Sequence, residues 1–213
     1  SAGAVTSSRN WSKYTQTSIA FGHEVGVTPV QILRAFGAFA REDEYAGTVV
    51  DLRLTGVGEE EPIVAKRVFG QEVSRVVRGA LVDVAAKAEA NLERTKGEGG
   101  WRYTMFGKSG TADVPVGPAP KGFKYPVSRV GYYEGQYNSS FLAGAPFANP
   151  RLTVIVVIDD PGPELIRAKQ HYGSWVAAPV ARRVLERSLE YLGVEPDITQ
   201  ETEEEPELAQ MGE

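Results

Sequence analysis

The chain contains no cysteine. Disulfides, zinc–thiolate centres and thiol catalysis are therefore excluded, and an oxidising compartment is allowed without being proved. Histidine is almost as scarce: His23 and His171 stand far apart, so no metal site and no cofactor is expected. No apolar run approaches the ~18 residues of a membrane span, and no signal peptide is visible. An excess of positive charge is missing too. The formal charge of −5 argues against wholesale binding to nucleic acid or anionic lipid.

What is present suits a globular protein. At 213 residues and 42% apolar, the chain is long enough for one domain with a good core, or for a large piece of a bigger one. Most of the negative excess gathers at the end, in Glu195, Asp197, Glu201, Glu203, Glu204, Glu205, Glu207 and Glu213. Residues 1–195 read as folded and 196–213 as an acidic disordered tail nearly devoid of large apolar side chains. The opening Ser1-Ala-Gly-Ala-Val5 runs straight into a structured-looking segment, as an excised piece would.

The chemistry concentrates in Phe106-Gly-Lys-Ser-Gly-Thr111. A cation, two hydroxyls and two glycines follow one another, with Trp101–Met105 reading as the strand that leads into them. Lys108 can neutralise a carboxylate, and Ser109 and Thr111 can hydrogen-bond it. Gly110 lets a ligand lie against the backbone, and edge N–H groups can receive an oxyanion. The bland alternative is a charged strand edge with a turn glycine. A phosphate loop is excluded: the first glycine of that pattern would fall at Arg102, and Pro115, Pro118 and Pro120 forbid the helix it must open.

In chain order, residues 1–20 read as a loop packed through Trp11 and Ile19, with Ser8-Arg9-Asn10 a chance Ser-x-Asn. Thr28 caps a helix with Pro29 in first place, running to Ala40 with an apolar surface almost all round. Arg41–Glu44 reads as a solvated exit turn, and Val50, Leu52 and Leu54 as a half-buried strand before a turn over Gly56 to Pro62. A second helix spans Gln71 to Leu92, its stripe Val73, Val76, Val77, Ala80, Leu81, Val84, Ala88 and Leu92, and Gly97, Gly99 and Gly100 break the chain after it. Residues 113–126 read as a long irregular loop covering the site. Strands follow at 139–147 and 152–159, the second continuous in Val and Ile and so central and covered on both faces. Asp159-Asp-Pro-Gly162 reads as a turn rather than an acid–base pair. A last helix, Ala178 to Leu192, turns Val180, Val184, Leu185, Leu189 and Leu192 inward and Arg182, Arg183, Glu186 and Arg187 outward.

Together these stretches resemble the transpeptidase domain of class B penicillin-binding proteins. Thr17-Ser-Ile-Ala-Phe-Gly22 and Val27-Thr-Pro-Val-Gln-Ile-Leu33 resemble a signature that precedes and opens a family helix. Lys108-Ser-Gly-Thr111 matches the family's third active-site motif, and Val156–Pro161, Tyr172-Gly-Ser and Ala178-Pro-Val180 resemble the end of the sheet and the start of the C-terminal helix. The resemblance covers roughly residues 1–197. It implies an α/β (α+β) fold, an antiparallel sheet covered by helices, of the kind shared with serine β-lactamases. It also implies peptidoglycan D,D-transpeptidation through an acyl-serine, and binding of stem peptides and β-lactams.

Carried over by residue, the resemblance makes Lys108 the source of positive potential and the Thr111 N–H half of an oxyanion hole. Ser109 and Thr111 would hold the substrate carboxylate, and Gly110 would admit the substrate backbone. The family acylates a serine in Ser-x-x-Lys. No serine of this chain is followed three residues later by lysine, so the expectation is the C-terminal part of such a domain, inactive alone. Its partners would be the N-terminal part and other cell-wall proteins. The resemblance places the parent at the outer face of the bacterial inner membrane, anchored by another segment, with Ser18–Gly22 leaning toward a role in division. The alternatives are a β-lactamase or carboxypeptidase relative and a non-catalytic scaffold of the same fold.

Overall fold

A computed structural model describes residues 3–52, 63–96, 100–116 and 131–198. Strand β1 (Ala4–Val5) pairs antiparallel with β2 (Val25–Gly26), and helix α1 (Thr15–Ala20) lies between them. Residues 3–20 are thus more than a loop: Trp11 is 44% exposed, and its indole N–H donates to the Thr6 carbonyl at 2.8 Å. Helix α2 (Pro29–Ala40) begins as its sequence predicts. The Gln31 N–H donates to Thr28 Oγ1 at 3.2 Å, and the Thr28 N–H donates to Gln31 Oε1 at 2.8 Å, a reciprocal capping box.

Strand β3 (Thr48–Val50) pairs with β4 (Val64–Arg67). It stops before Leu52, which is 61% exposed, and Leu54, the turn over Gly56 to Pro62, Gly97 and Gly99 lie outside the described residues. The exit turn is less solvated than its charges imply. Glu42 pairs with Arg78, and Arg41 Nη1 donates to the Thr48 carbonyl at 3.2 Å. Burial first, and the charge of Arg34 second, hold Arg41 below the usual guanidinium value.

The main sheet runs β5 (Phe106–Pro115), β6 (Tyr132–Ala145), β7 (Leu152–Asp159), antiparallel throughout with β6 in the middle. Period-two alternation splits it into two faces. Phe141, Ala143 and Ala145 face one core, made with Ala85 and Ala88 of α3 (Gln71–Lys96) and Ala178, Ala181, Leu185 and Leu189 of α6 (Ala178–Tyr191). Phe106 and Leu142 face the other, with Phe36 of α2. The short helices α4 (Pro163–Arg167) and α5 (Gly173–Val176) link β7 to α6.

Several expectations are corrected here. Residues 101–105 form no strand: Tyr103 is 1% exposed, but its hydroxyl donates to the Val194 carbonyl at 2.9 Å, and the Thr104 N–H donates to Asp197 Oδ1 at 2.6 Å. The segment therefore bonds to chain beyond α6. The same bonds, with the Ile198 N–H to the Arg102 carbonyl at 3.0 Å, dock residues 197 and 198, which the sequence assigned to the tail. Residues 199–213 lie outside the described residues.

Strand β7 is covered on both faces, by the α6 core through Val154, Val156 and Ile158 and by the α2 core through Ile155. Yet it is an outer strand among the described residues, because helices rather than neighbouring strands account for its apolar run. Residues 113–115 belong to β5, not to the predicted loop, and 117–130 lie outside the described residues.

The helix faces are rotated from the apolar stripes. On α3, Val73 and Val76 are exposed while Ser74 and Arg78 are buried. Ser74 Oγ sits 3.2 Å from the Ala38 carbonyl, and the Arg78 guanidinium pairs with Glu42 and lies over the rings of Phe106 and Phe147. On α6, Val180, Val184 and Leu192 are exposed and Arg182 is buried, its Nε 3.2 Å from Glu89 Oε2 and its guanidinium over Trp101. Each inward arginine meets a carboxylate and an aromatic face, which offset part of the cost of burying its charge.

Candidate active site

The strand preference of this region falls on the motif itself. In β5, Phe106, Lys108 and Gly110 pair with Gly144, Leu142 and Ser140 on the α2 face. Gly107, Ser109 and Thr111 pair with Ala143, Phe141 and Ser139 on the α6 face. Phe106 is fully buried, whereas Lys108 two residues later is exposed, its Nζ donating to the Ser109 carbonyl at 2.7 Å. The strand thus leaves the core at Lys108. Among the described residues β5 has a partner only on the β6 side, so its other edge carries unpaired backbone groups.

Space at Gly110 is tight on one side. A Cβ there would stand 2.7 Å from Ser140 Oγ, so the hydroxyl of Ser140 fills the volume that a side chain would take. Thr111 is exposed, and its Oγ1 accepts the Gly173 N–H at 3.2 Å. Gly173 itself lies on the sheet: a Cβ would fall 2.0 Å from the Ser140 carbonyl oxygen and 2.6 Å from that of Gly110.

Around Thr111 the structure gathers residues that sequence reasoning did not single out as a site. Ser139 Oγ donates to the His171 carbonyl. The buried His171 ring stacks on Tyr137 with centroids 4.4 Å apart and lies 4.3 Å from Tyr172. The available signals are the hydroxyl pair Ser139-Ser140 just before the apolar run Phe141–Ala145, and Tyr172-Gly-Ser, noted only as a likeness.

Of the other candidates, Asp160 reaches this cluster through its backbone, its N–H donating to the Tyr137 carbonyl at 2.9 Å. Ser8–Asn10 is an exposed turn with local hydrogen bonds. The Gly162 N–H donates to Asp160 Oδ1 at 3.2 Å, so Asp160 closes a turn as predicted, while Asp159 is the last residue of β7. A cavity of about 450 Å³ lined by Ile158, Leu165, Trp175, Pro179 and Arg183 includes none of Lys108 to Thr111. Among the described residues, no three His, Cys, Asp or Glu side chains gather as a metal group.

A sequence profile described as "Penicillin binding protein transpeptidase domain" matches residues 1–186. The chain belongs to that family. Peptidoglycan D,D-transpeptidase FtsI of Escherichia coli K12 is 28% identical over 196 residues, covering 92% of this chain and 29% of that protein. Stage V sporulation protein D of Bacillus subtilis is 29% identical over 191 residues, covering 85% and 26%. The apo transpeptidase domain of penicillin-binding protein 3 from Burkholderia pseudomallei superposes with a TM-score of 0.72 at 27% identity, over 93% of this chain and 53% of that one. Penicillin-binding protein 3 of Mycobacterium, solved with ampicillin, shares the fold at a TM-score of 0.65 and 21% identity. This transpeptidase-family chain therefore spans about a third or less of the length of the E. coli and B. subtilis relatives.

Lys108, Ser109, Gly110 and Thr111 share one strand that leaves the core between Phe106 and Lys108. The antiparallel, helix-covered sheet agrees with the α+β class expected from the sequence.

Proposed function

We propose that this chain is the C-terminal part of a peptidoglycan D,D-transpeptidase domain, whose nucleophilic serine is contributed by polypeptide outside this sequence. The observation that carries the reading is the emergence of Lys108-Ser-Gly-Thr111 from the core on a strand edge with no partner among the described residues. The absence of any Ser-x-x-Lys agrees with a nucleophile supplied elsewhere.

In this reading the serine Oγ attacks the penultimate D-alanine carbonyl of a stem peptide, the C–N bond breaks, and the terminal D-alanine leaves with a proton. An amine of a neighbouring stem then attacks the acyl ester and returns the serine. A β-lactam enters the same way and remains as the ester. Lys108 supplies the positive potential that draws the substrate carboxylate and favours the developing negative charge. Ser109 and Thr111 donate their hydroxyl protons to that carboxylate. Gly110 keeps the edge flat so that the substrate can add as a strand. The Thr111 N–H and the nucleophile's own N–H form the oxyanion hole, where loss of one donor costs about 10²–10³ in rate.

The partners are stem peptides, β-lactams, the N-terminal part of the domain and other cell-wall synthesis proteins. The parent acts at the outer face of the bacterial inner membrane, held by an anchor in another segment, with the acidic extension starting beyond the docked Asp197 and Ile198. In the complete protein Lys108→Ala is expected to abolish labelling by a fluorescent penicillin; labelling at the wild-type rate would remove the site assignment. The missing Ser-x-x-Lys also favours a second reading, a scaffold that keeps the fold without the chemistry. A penicillin adduct on the intact parent, read by mass, decides against it.

A further inference from the structure

We propose that Gly173 is a positioning residue for the Thr111 hydroxyl, a role that rests on the transpeptidase reading above and extends it to a residue outside the motif. A threonine hydroxyl has one proton to give and two lone pairs to receive with. The Gly173 N–H fills one lone pair at 3.2 Å. The hydroxyl proton is thereby left for an arriving acceptor, and the rotor is held in the orientation that the amide selects. For a site built to hold a carboxylate, that sets Thr111 as a donor before the substrate arrives.

Three contacts place the amide. Gly173 rests against the Ser140 and Gly110 carbonyls at 2.0 and 2.6 Å from where its Cβ would stand, both backbone atoms that cannot rotate away. Two residues earlier, the buried Ser139 hydroxyl holds the His171 carbonyl. His171 is stacked between Tyr137 and Tyr172. Residues 171–173 thus form a strap pinned to β6 at one end and laid across the Gly110–Ser140 pair at the other. Glycine at 173 is demanded by this closeness. Any side chain would lift the strap and withdraw the N–H from Thr111.

The test uses the complete protein carrying this domain and measures the second-order acylation rate with a penicillin and with its methyl ester, which lacks the anionic carboxylate. Gly173→Ala should lower the rate with the acid about 10-fold, the worth of one hydrogen bond to a charged group, and change the ester rate by less than about 2-fold. In a Thr111→Val background, Gly173→Ala should add less than about 2-fold, because the two residues act through one bond.

Equal losses with acid and ester, or losses that multiply independently of Thr111, would mean that Gly173 merely supports the fold and would overturn the proposal. If Gly173→Ala does not fold, Ser139→Ala loosens the other end of the strap and should reduce the acid-to-ester ratio about 3-fold; an unchanged ratio overturns the proposal by that route. Lys108→Ala run in parallel separates the two levels. Retained labelling there brings down the active-site reading and the strap with it. Lost labelling beside an unmoved acid-to-ester ratio in Gly173→Ala brings down the strap alone.

Discussion

The two halves of β5 differ in burial although they share one backbone. From Phe106 to Gly107, opposite Ala143 and Gly144, everything is buried, and the Phe106 ring lies so close to Gly144 that a Cβ would stand 2.3 Å from it. From Lys108 to Thr111 the β5 residues are half-buried or exposed, although their β6 partners Leu142, Phe141 and Ser139 stay buried, so the contrast belongs to β5 alone. A strand cannot slip by one residue without exchanging its faces, so the buried half fixes which way the open half presents its lysine and hydroxyls. Along β5, then, the buried residues come first and the half-buried or exposed ones follow.

That division can be broken by substitution, and stability in denaturant is the measurement that orders the effects. Phe141→Ala empties the fully buried α6-side core and should cost about 3–5 kcal/mol in the complete protein. A loss below about 1 kcal/mol would mean that the core anchors the ladder elsewhere. Gly144→Ala drives a methyl into the Phe106 ring and should cost about 1–3 kcal/mol, with penicillin labelling weakened because β5 shifts. Thr28→Ala removes the capping box of α2 and should cost about 1 kcal/mol while leaving the labelling rate unchanged, since the cap lies outside the ladder. Lys108→Ala should move stability least, within about 0.5 kcal/mol, while labelling disappears. If Lys108→Ala destabilised as much as Phe141→Ala, the open half would be a structural element and the contrast would fail.

Much of this was legible in the chain, for reasons that are local. Thr28, Pro29 and Gln31 can satisfy a helix start among themselves, and they do. Asp160, Pro161 and Gly162 close a turn within a few residues. The Leu152–Asp159 strand keeps its predicted bounds, because an uninterrupted β-branched run suits no other short element in this place.

What was misread had distant causes. The apolar stripe on α3 pointed to Val73 and Val76, but Arg78 outcompetes them for the inside because Glu42, Phe106 and Phe147 wait there. Arg182 is drawn inward in the same manner by Glu89 and Trp101. Trp101–Met105 has the composition of a strand, and its hydrogen bonds go to residues 194–198 instead.

By itself the amino-acid sequence determined the family, the helix starts, the strand periodicity and the presence of a cation, hydroxyls and glycine in Lys108–Thr111, because spacing and capping act over a few residues. Only the tertiary structure decided that β7 is an outer strand among the described residues, that arginines enter the cores, and that Gly173 lies on the Gly110–Ser140 pair. Those outcomes depend on which groups meet across long stretches of chain, where a buried charge or a close backbone approach is stable only once its partner has arrived.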